Sequence, residues 1–176
     1  VSGLQLAAEI GVGALLATYV ATTLLFFHRR KRKADIGTCY WSLAMACLAL
    51  AILVHFLPFE RDQRALLTGV LVIAGFGMSA VNGMLYKIVP FLVWYHLQCD
   101  ARLGRERVPG VKSIVEEARA LRQLRWHVVA LGLLLASSLA PSVLARPAGL
   151  FMMLAMFLLI RDLGGALRLF LRLRQS

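Results

Sequence analysis

The sequence predicts an all-α, polytopic integral membrane bundle with five transmembrane helices. Three observations carry this prediction: 60% of the 176 residues are hydrophobic, they are concentrated in five long runs, and basic residues cluster at the ends of those runs. A hydrocarbon core about 30 Å thick requires about 20 apolar residues at about 1.5 Å each. A water-soluble fold of this composition would have to expose a large apolar surface, which lipid makes unnecessary.

The elements follow in order from the apolar runs. The five predicted spans, the last with an apolar core at 148–160, are 4–27, 38–57, 65–86, 128–144 and 147–167. Between the third and fourth spans we expect an amphipathic helix at about 113–126. It follows a Pro109-Gly110 turn and opens with a capping box of Ser113 and Glu116.

The positive charges orient these spans. The first span is followed by five consecutive basic residues, 29–33, and the third by a connection that carries seven more. The tail after the fifth span is also basic, whereas Arg61, Arg64 and Arg146 are the Lys and Arg residues left for the other side. The positive-inside rule therefore predicts the N-terminus outside and the C-terminus in the cytoplasm. We expect the cytoplasmic arginines to contact anionic lipid, and the segment after Gly164-Gly165 to lie along the membrane surface.

Several function classes have no support in the sequence. The net charge of +11 sits at the ends of apolar runs, without the interleaved aromatic residues of a nucleic-acid surface. Cys39, Cys47 and Cys99 form no CxxC pair, so neither a structural zinc site nor a disulfide framework is indicated. Gly11-Val12-Gly13 follows no strand and is not a dinucleotide fingerprint. We find no nucleophile–base motif, and we predict no catalytic residue and no metal site.

The third span carries a packing signal. Gly75, Ser79 and Gly83 recur at intervals of four residues. Small residues allow close approach of helices in lipid, where apolar tails do not drive association. The pattern indicates internal packing of a central helix or, alternatively, an interface with another subunit. Asn82, a polar residue in the same span, is expected to hydrogen-bond a neighbouring helix.

The end of this span matches a known pattern. Gly83, Tyr86 and Pro90 form a Gly-x-x-Tyr-x-x-x-Pro sequence. It resembles the close of the tenth transmembrane helix in subunit I of haem-copper oxidases and the related nitric oxide reductases. That helix also runs inward and is followed by two more, so the resemblance implies that the chain corresponds to helices eight to twelve. Pro90 is expected to break or bend the helix.

The sequence also departs from that family. The oxidases carry a His-x-His pair of haem ligands five to six turns before the proline. The corresponding stretch here, 67–71, contains no histidine, so reduction of oxygen or nitric oxide is not implied. The resemblance then implies a scaffold, an accessory or degenerate relative that packs against a partner membrane subunit.

Histidines provide an alternative function. His28, His96 and His127 fall at the predicted cytoplasmic boundary, and imidazoles from neighbouring helices can ligate haem b. The best such pair is His96 with His127; the simpler interpretation is that interfacial histidines are amphipathic. His55 is expected to stand alone near the outer face, so a second bis-histidine haem is not available.

A third interpretation is half of a transporter or channel. Glu9 lies within the first span near its outer end, and an intramembrane carboxylate suggests a proton or cation site unless it is simply interfacial. In this interpretation Glu9, Asn82 and Lys87 would face a pore; otherwise Lys87 extends its ammonium to the inner interface. Arg161 and Asp162 are adjacent, so we expect them not to pair across the helix and to mark its boundary.

The leading functional hypothesis from the sequence is a non-catalytic integral membrane subunit. It would pack with other membrane subunits, in a respiratory-type complex as the resemblance implies, or with copies of itself. The charge pattern and the resemblance place it in a bacterial cytoplasmic (inner) membrane.

Overall fold

The computed structural model describes residues 3–29, 35–99 and 109–175, which contain helices and no strand. The basic cluster at 30–33 and Arg102, Arg105 and Arg107 of the third connection lie outside the described residues. The helices are α1 (Gly3–His28), α2 (Ile36–Phe56), α3 (Arg61–Val70), α4 (Met78–Cys99), α5 (Val111–Ile114), α6 (Glu117–Ser137) and α7 (Pro141–Gln175). A π-helical segment, Leu71–Gly77, joins α3 to α4, so that one helix runs over Arg61–Cys99.

Among the described residues, four helices are long and apolar enough to cross a membrane: Gly3–His28, Ile36–Phe56, Arg61–Cys99 and Pro141–Arg174. These four helices indicate a multi-pass membrane protein. The first three correspond to the first three predicted spans. The chain divides into two compact units, an N-terminal unit (Val1–Ala80) and a C-terminal unit (Val81–Ser176).

The N-terminal unit is built around α2. Its start is capped by Asp35, whose carboxylate accepts hydrogen bonds from the Thr38 amide at 2.8 Å and the Thr38 hydroxyl at 2.7 Å. Its buried face packs in an apolar cluster with Val20 of α1; the buried α2 residues of this cluster are Ala44, Met45 and Leu48. By contrast, Val20 is the only residue of α1 that is buried in the structure. The unit therefore has a well-packed second helix and a largely uncovered first helix.

The helix over Arg61–Cys99 differs from its prediction in two ways. A π-helical segment replaces one stretch of α-helix at Leu71–Gly77, a widening that the small residues Gly75 and Gly77 accommodate without side-chain crowding. The helix also continues through Pro90 to Cys99, so the expected break does not occur there. A membrane helix tolerates such a proline where neighbouring groups accommodate the backbone carbonyl that it leaves unpaired.

The C-terminal unit contains a helical hairpin, α6 and α7. The two helices run antiparallel from the turn at 138–140, because Gln123 contacts Ala155 at 3.1 Å and the Trp126 and Phe151 rings lie 5.6 Å apart. Near the base of the hairpin, Val93 and Leu97 of α4 pack with Ile114 and Ala166.

The fourth predicted span is wrong in its boundaries. The turn at 138–140 interrupts the apolar run at 128–144. The part of the run before the turn, 128–137, belongs to α6, which also contains the basic segment that precedes the run. The Ser137 and Ser138 hydroxyls each donate to a backbone carbonyl three residues earlier at 2.7 Å, which competes with continued helix. Pro141 then occupies the first position of α7, where its missing N–H costs no helical bond.

The capping box is also wrong. The Ser113 hydroxyl donates to the Gly110 carbonyl at 2.7 Å, Val115 is extended, and the Glu116 carboxylate pairs with Arg119 at 3.0 Å. The predicted amphipathic helix at 113–126 is therefore split between the single turn α5 and the first half of α6. The tail is not a separate surface helix either, because α7 continues through Gly164-Gly165 to Gln175.

Candidate functional site

An apolar groove in the N-terminal unit is the best-formed candidate site. We call it the Glu9 groove; its volume is about 360 Å³, at the lower end of the range for small-molecule sites. It opens between α1, α2 and the helix that begins at Arg61. Its lining residues are Ala8, Glu9, Val12, Gly13, Leu16, Leu48, Ala51, Ile52, His55, Phe56, Thr68 and Val72.

Glu9 and His55 supply the polar edge of this groove. The Glu9 carboxylate lies 3.9 Å from His55 Nε2, and both side chains are about half exposed, at 49% and 45%. The expectation that His55 stands alone is therefore wrong. Periodicity could not reveal the pair, because it forms only when α1 packs beside the end of α2. A carboxylate and an imidazole consequently face each other where the groove opens.

Gly13 determines how closely α1 approaches the end of α2. A Cβ atom at this position would lie 3.0 Å from Cε2 of the Phe56 ring, closer than side chains normally pack. The Phe56 ring in turn contacts His55 edge-on, with ring centroids 5.2 Å apart. The absence of a side chain at Gly13 thus allows the aromatic wall of the groove to form beside His55.

Thr68 adds a polar atom to the apolar wall. Its hydroxyl is buried and has no hydrogen-bond partner among the residues that the structure describes. Buried hydroxyls are normally paired, so an unpaired one that lines a groove is a candidate contact for a bound molecule. This residue was not singled out from the sequence, where a lone threonine in an apolar span gives no signal.

The C-terminal unit buries a carboxylate instead of exposing one. The Asp162 side chain is completely buried; it accepts a hydrogen bond from the Tyr86 hydroxyl at 3.3 Å and from Arg161 Nη2 at 2.9 Å. The expectation that Arg161 and Asp162 do not pair is therefore wrong, because the long guanidinium side chain reaches the carboxylate of the next residue. The contact with Tyr86 joins α4 to α7.

Two further polar residues lie in the face of α6 that packs on α7. Gln123 and His127 are both fully buried, one helical turn apart. The Gln123 amide donates to the Ala155 carbonyl at 3.1 Å. His127 precedes the apolar part of α6.

The two histidines predicted to ligate haem b lie in different environments. His96 is exposed on α4; its Nδ1 is 2.8 Å from the Leu92 carbonyl of its own helix, and its ring contacts Phe170 at 6.3 Å. His127 is buried in the hairpin. The haem b site therefore stays a prediction, and any bound haem would require access to a ring that the hairpin covers.

The other predicted positions are also located. Gly75, Ser79 and Gly83 are all buried within the chain. Asn82 is 3% exposed, and its Nδ2 has no hydrogen-bond partner in the described part of the chain, whereas Lys87 is exposed. Within the described residues, no three His, Cys, Asp or Glu side chains are grouped so that they could hold a metal ion.

Comparisons with known proteins add no identification. No family model, curated protein or solved structure matches the chain.

Proposed function

We propose that the protein is a non-catalytic integral membrane subunit, and that the uncovered face of α1 packs against a partner membrane protein or a second copy of the chain. The observation that supports this proposal is the contrast between α1 and α2. Both helices are equally apolar, with a mean hydropathy of 1.9 over their best windows, but 39% of that window is buried in α2 and 6% in α1.

The uncovered face of α1 has the composition of a helix-packing surface. At about 100° per residue, the face opposite the Glu9 groove carries Ala7, Gly11, Ala14, Thr18 and Thr22. Nothing lies within 4 Å of the position that a Cβ atom would take at Gly11. Such a stripe of small residues permits the close backbone approach on which helix association in lipid depends.

The two threonines do not interrupt this stripe. The Thr18 hydroxyl donates to the Ala14 carbonyl at 2.8 Å. The Thr22 hydroxyl lies 2.8 Å from the Thr18 backbone carbonyl and 3.0 Å from the Tyr19 backbone carbonyl, and these two oxygens share its proton. Each hydroxyl is therefore satisfied within α1, and the face presents small, mainly apolar groups.

The helix that the sequence singled out is less suited to a partner. Gly75, Ser79 and Gly83 are covered by the chain itself. The internal-packing interpretation accounts for these residues, whereas the small residues of α1 are exposed.

Orientation and location belong to the same proposal. The N-terminus lies outside and the C-terminus in the cytoplasm of a bacterial inner membrane, because the basic residues that flank the spans favour that side. The arginines at 119–125 and 168–174 would then contact anionic lipid headgroups. The kinship with oxidase subunits and membership of a respiratory-type complex remain part of this proposal.

Photo-crosslinking in membranes tests the partner. A benzoyl-phenylalanine at Ala14 is expected to crosslink to a polypeptide, either a second copy or another membrane protein. The control is the same probe at Phe157, which is 63% exposed on α7 and lies in no small-residue stripe. Protein crosslinks of equal yield at both positions, or none at Ala14, would contradict the proposal.

The alternative is a small haem b redox protein that uses His96 and His127, two imidazoles that the sequence places at the same predicted boundary. A Soret band in the purified protein that is lost in both His96→Ala and His127→Ala would establish this alternative.

The third proposal is half of a transporter, in which Glu9, Asn82 and Lys87 face a pore. Transport that is unchanged in Glu9→Gln, Asn82→Ala and Lys87→Met would count against it.

A further inference from the structure

We infer that the Glu9 groove binds one acyl chain of a zwitterionic phospholipid whose headgroup carries a primary ammonium, and that the ammonium lies beside the Glu9 carboxylate. This inference concerns the groove side of α1 and is independent of the partner proposed for the opposite side.

The shape of the groove suits an extended chain. From Glu9 to Leu16 on α1, and from His55 to Leu48 on α2, the lining extends over seven residues, or about 10 Å along each helix. Below the Glu9–His55 pair it is apolar except for Thr68. One end is therefore polar and the other is in the hydrocarbon, as an amphiphile requires.

The size of the groove suits a hydrocarbon chain. A helix with its side chains is about 10–12 Å wide, as wide as the lining is long. The groove is a cavity of about 360 Å³, at the lower end of the range for small-molecule sites. The hydrocarbon chain of a lipid is the narrow apolar molecule that a membrane supplies.

Charge selects the headgroup. The chain as a whole carries +11, but the residues at this end of the N-terminal unit include three acids, Glu9, Glu60 and Asp62, against Arg61 and Arg64. This end is thus the part of the unit least attractive to an anionic lipid. A headgroup with an ammonium is complementary to Glu9, which is not engaged by any Lys or Arg among the described residues.

Two more groups suit the rest of a phospholipid. Arg64 lies one turn before Thr68 on the same helix, toward the polar end of the groove, and a guanidinium is a favourable partner for a phosphate. Deeper in the groove, the buried Thr68 hydroxyl lacks a hydrogen-bond acceptor among the described residues. The ester carbonyl of a bound lipid supplies that acceptor.

The test uses the full chain in phosphatidylcholine nanodiscs and a phosphatidylethanolamine that carries a photoreactive acyl chain. Labelled residues are mapped by mass spectrometry, and unlabelled phosphatidylethanolamine, phosphatidylcholine and phosphatidylglycerol compete. We expect labelling on the groove side of α1 and around Leu48 and Ile52. Phosphatidylethanolamine should be the strongest competitor. Labelling spread evenly over the exposed helices, or equal competition by all three lipids, would overturn the inference. Either result would mean that lipid contacts the protein only non-specifically around its surface.

Matched variants separate the two faces of α1. Ala8 lines the groove, Ala14 lies about 120° around the helix on the partner face, and both are exposed, so Ala8→Trp and Ala14→Trp place the same bulk on different faces of one helix. Ala8→Trp should abolish groove labelling and leave the partner crosslink, measured with a probe at Thr18, unchanged. Ala14→Trp should abolish the partner crosslink and leave groove labelling unchanged. Groove labelling that survives Ala8→Trp would overturn the inference, even if the partner crosslink behaves as expected.

Two conservative variants test the headgroup and the ester. Glu9→Gln should reduce the preference for phosphatidylethanolamine over phosphatidylcholine about two- to fivefold, the value of a solvent-exposed ion pair, without moving the labelled sites. Thr68→Val, which keeps the shape of the side chain, should weaken labelling by the photoreactive phosphatidylethanolamine without changing the order in which the three unlabelled lipids compete. An unchanged preference in Glu9→Gln would show that charge does not select the lipid.

Discussion

The two units of this protein differ in the length of uncharged helix that each offers to the hydrocarbon core of a membrane. In the N-terminal unit, α1 is free of formal charge from Glu9 to Arg29, and α2 from Asp35 to the end of the helix, each about 30 Å long. In the α6–α7 hairpin, the uncharged lengths from Arg125 to the turn and from Arg146 to Arg161 are only about 20 Å and 22 Å. The first unit matches a hydrocarbon core of about 30 Å, and the second is about a third shorter.

The shorter unit also buries several polar groups. Gln123, His127 and Asp162 are turned into the packed interior of the C-terminal unit, away from lipid. The buried side chains around α2, by contrast, are almost entirely apolar. One unit is therefore held by apolar packing and the other partly by hydrogen bonds, for which lipid does not compete.

The largest effect is expected in the apolar core of the N-terminal unit. Met45 is fully buried, and Met45→Ala should lower the free energy of unfolding by about 2–5 kcal/mol, because it removes packed atoms and leaves a cavity. The matched control is Met153→Ala in α7, where the side chain is 64% exposed and a change within about 0.5 kcal/mol is expected. Unfolding in sodium dodecyl sulfate followed by circular dichroism measures both. Equal losses would mean that burial in the folded chain does not determine the cost.

An intermediate effect is expected at the buried carboxylate of the C-terminal unit. Asp162→Ala should cost about 1–3 kcal/mol, because the buried Tyr86 hydroxyl and the Arg161 guanidinium lose their acceptor. Tyr86→Phe should cost about 0.5–1.5 kcal/mol. The double variant should cost less than the sum of the two, as expected for residues that share one hydrogen bond. Strict additivity in the same unfolding measurement would show that this hydrogen bond does not stabilise the unit.

The smallest effect is expected at the exposed carboxylate. Glu9→Gln should change the free energy of unfolding by no more than about 0.5 kcal/mol, because the Glu9–His55 pair is half exposed and spans 3.9 Å. Asp162→Asn, the same neutralisation at a buried site, should cost more. If Glu9→Gln proved the more damaging of the two, the contrast between the units would be incorrect.

The sequence predicted the parts of this fold that depend on composition. Apolar length located the three spans of the first 99 residues, since a run of this length needs no tertiary contact to be recognised. The hairpin turn had a local signal, Ser137-Ser138 followed by Pro141, which the continuous hydropathy of 128–144 obscured. The π-helical segment and the continuation through Pro90 were not predicted, because both depend on how neighbouring groups accommodate the backbone.

The site divides in the same way. Glu9 was recognised from the sequence as an unusual carboxylate in an apolar run, because its cost in lipid is a property of the residue and its place in the run. Only the tertiary structure determines three other features. They are the proximity of His55 to Glu9, the buried Thr68 hydroxyl with no partner among the described residues, and the hydrogen bond between Tyr86 and Asp162. Tyr86 and Asp162 are 76 residues apart in the chain, and Glu9 and His55 are on different helices. Hydropathy is a sum over neighbours in sequence, whereas these contacts depend on which faces of the helices meet.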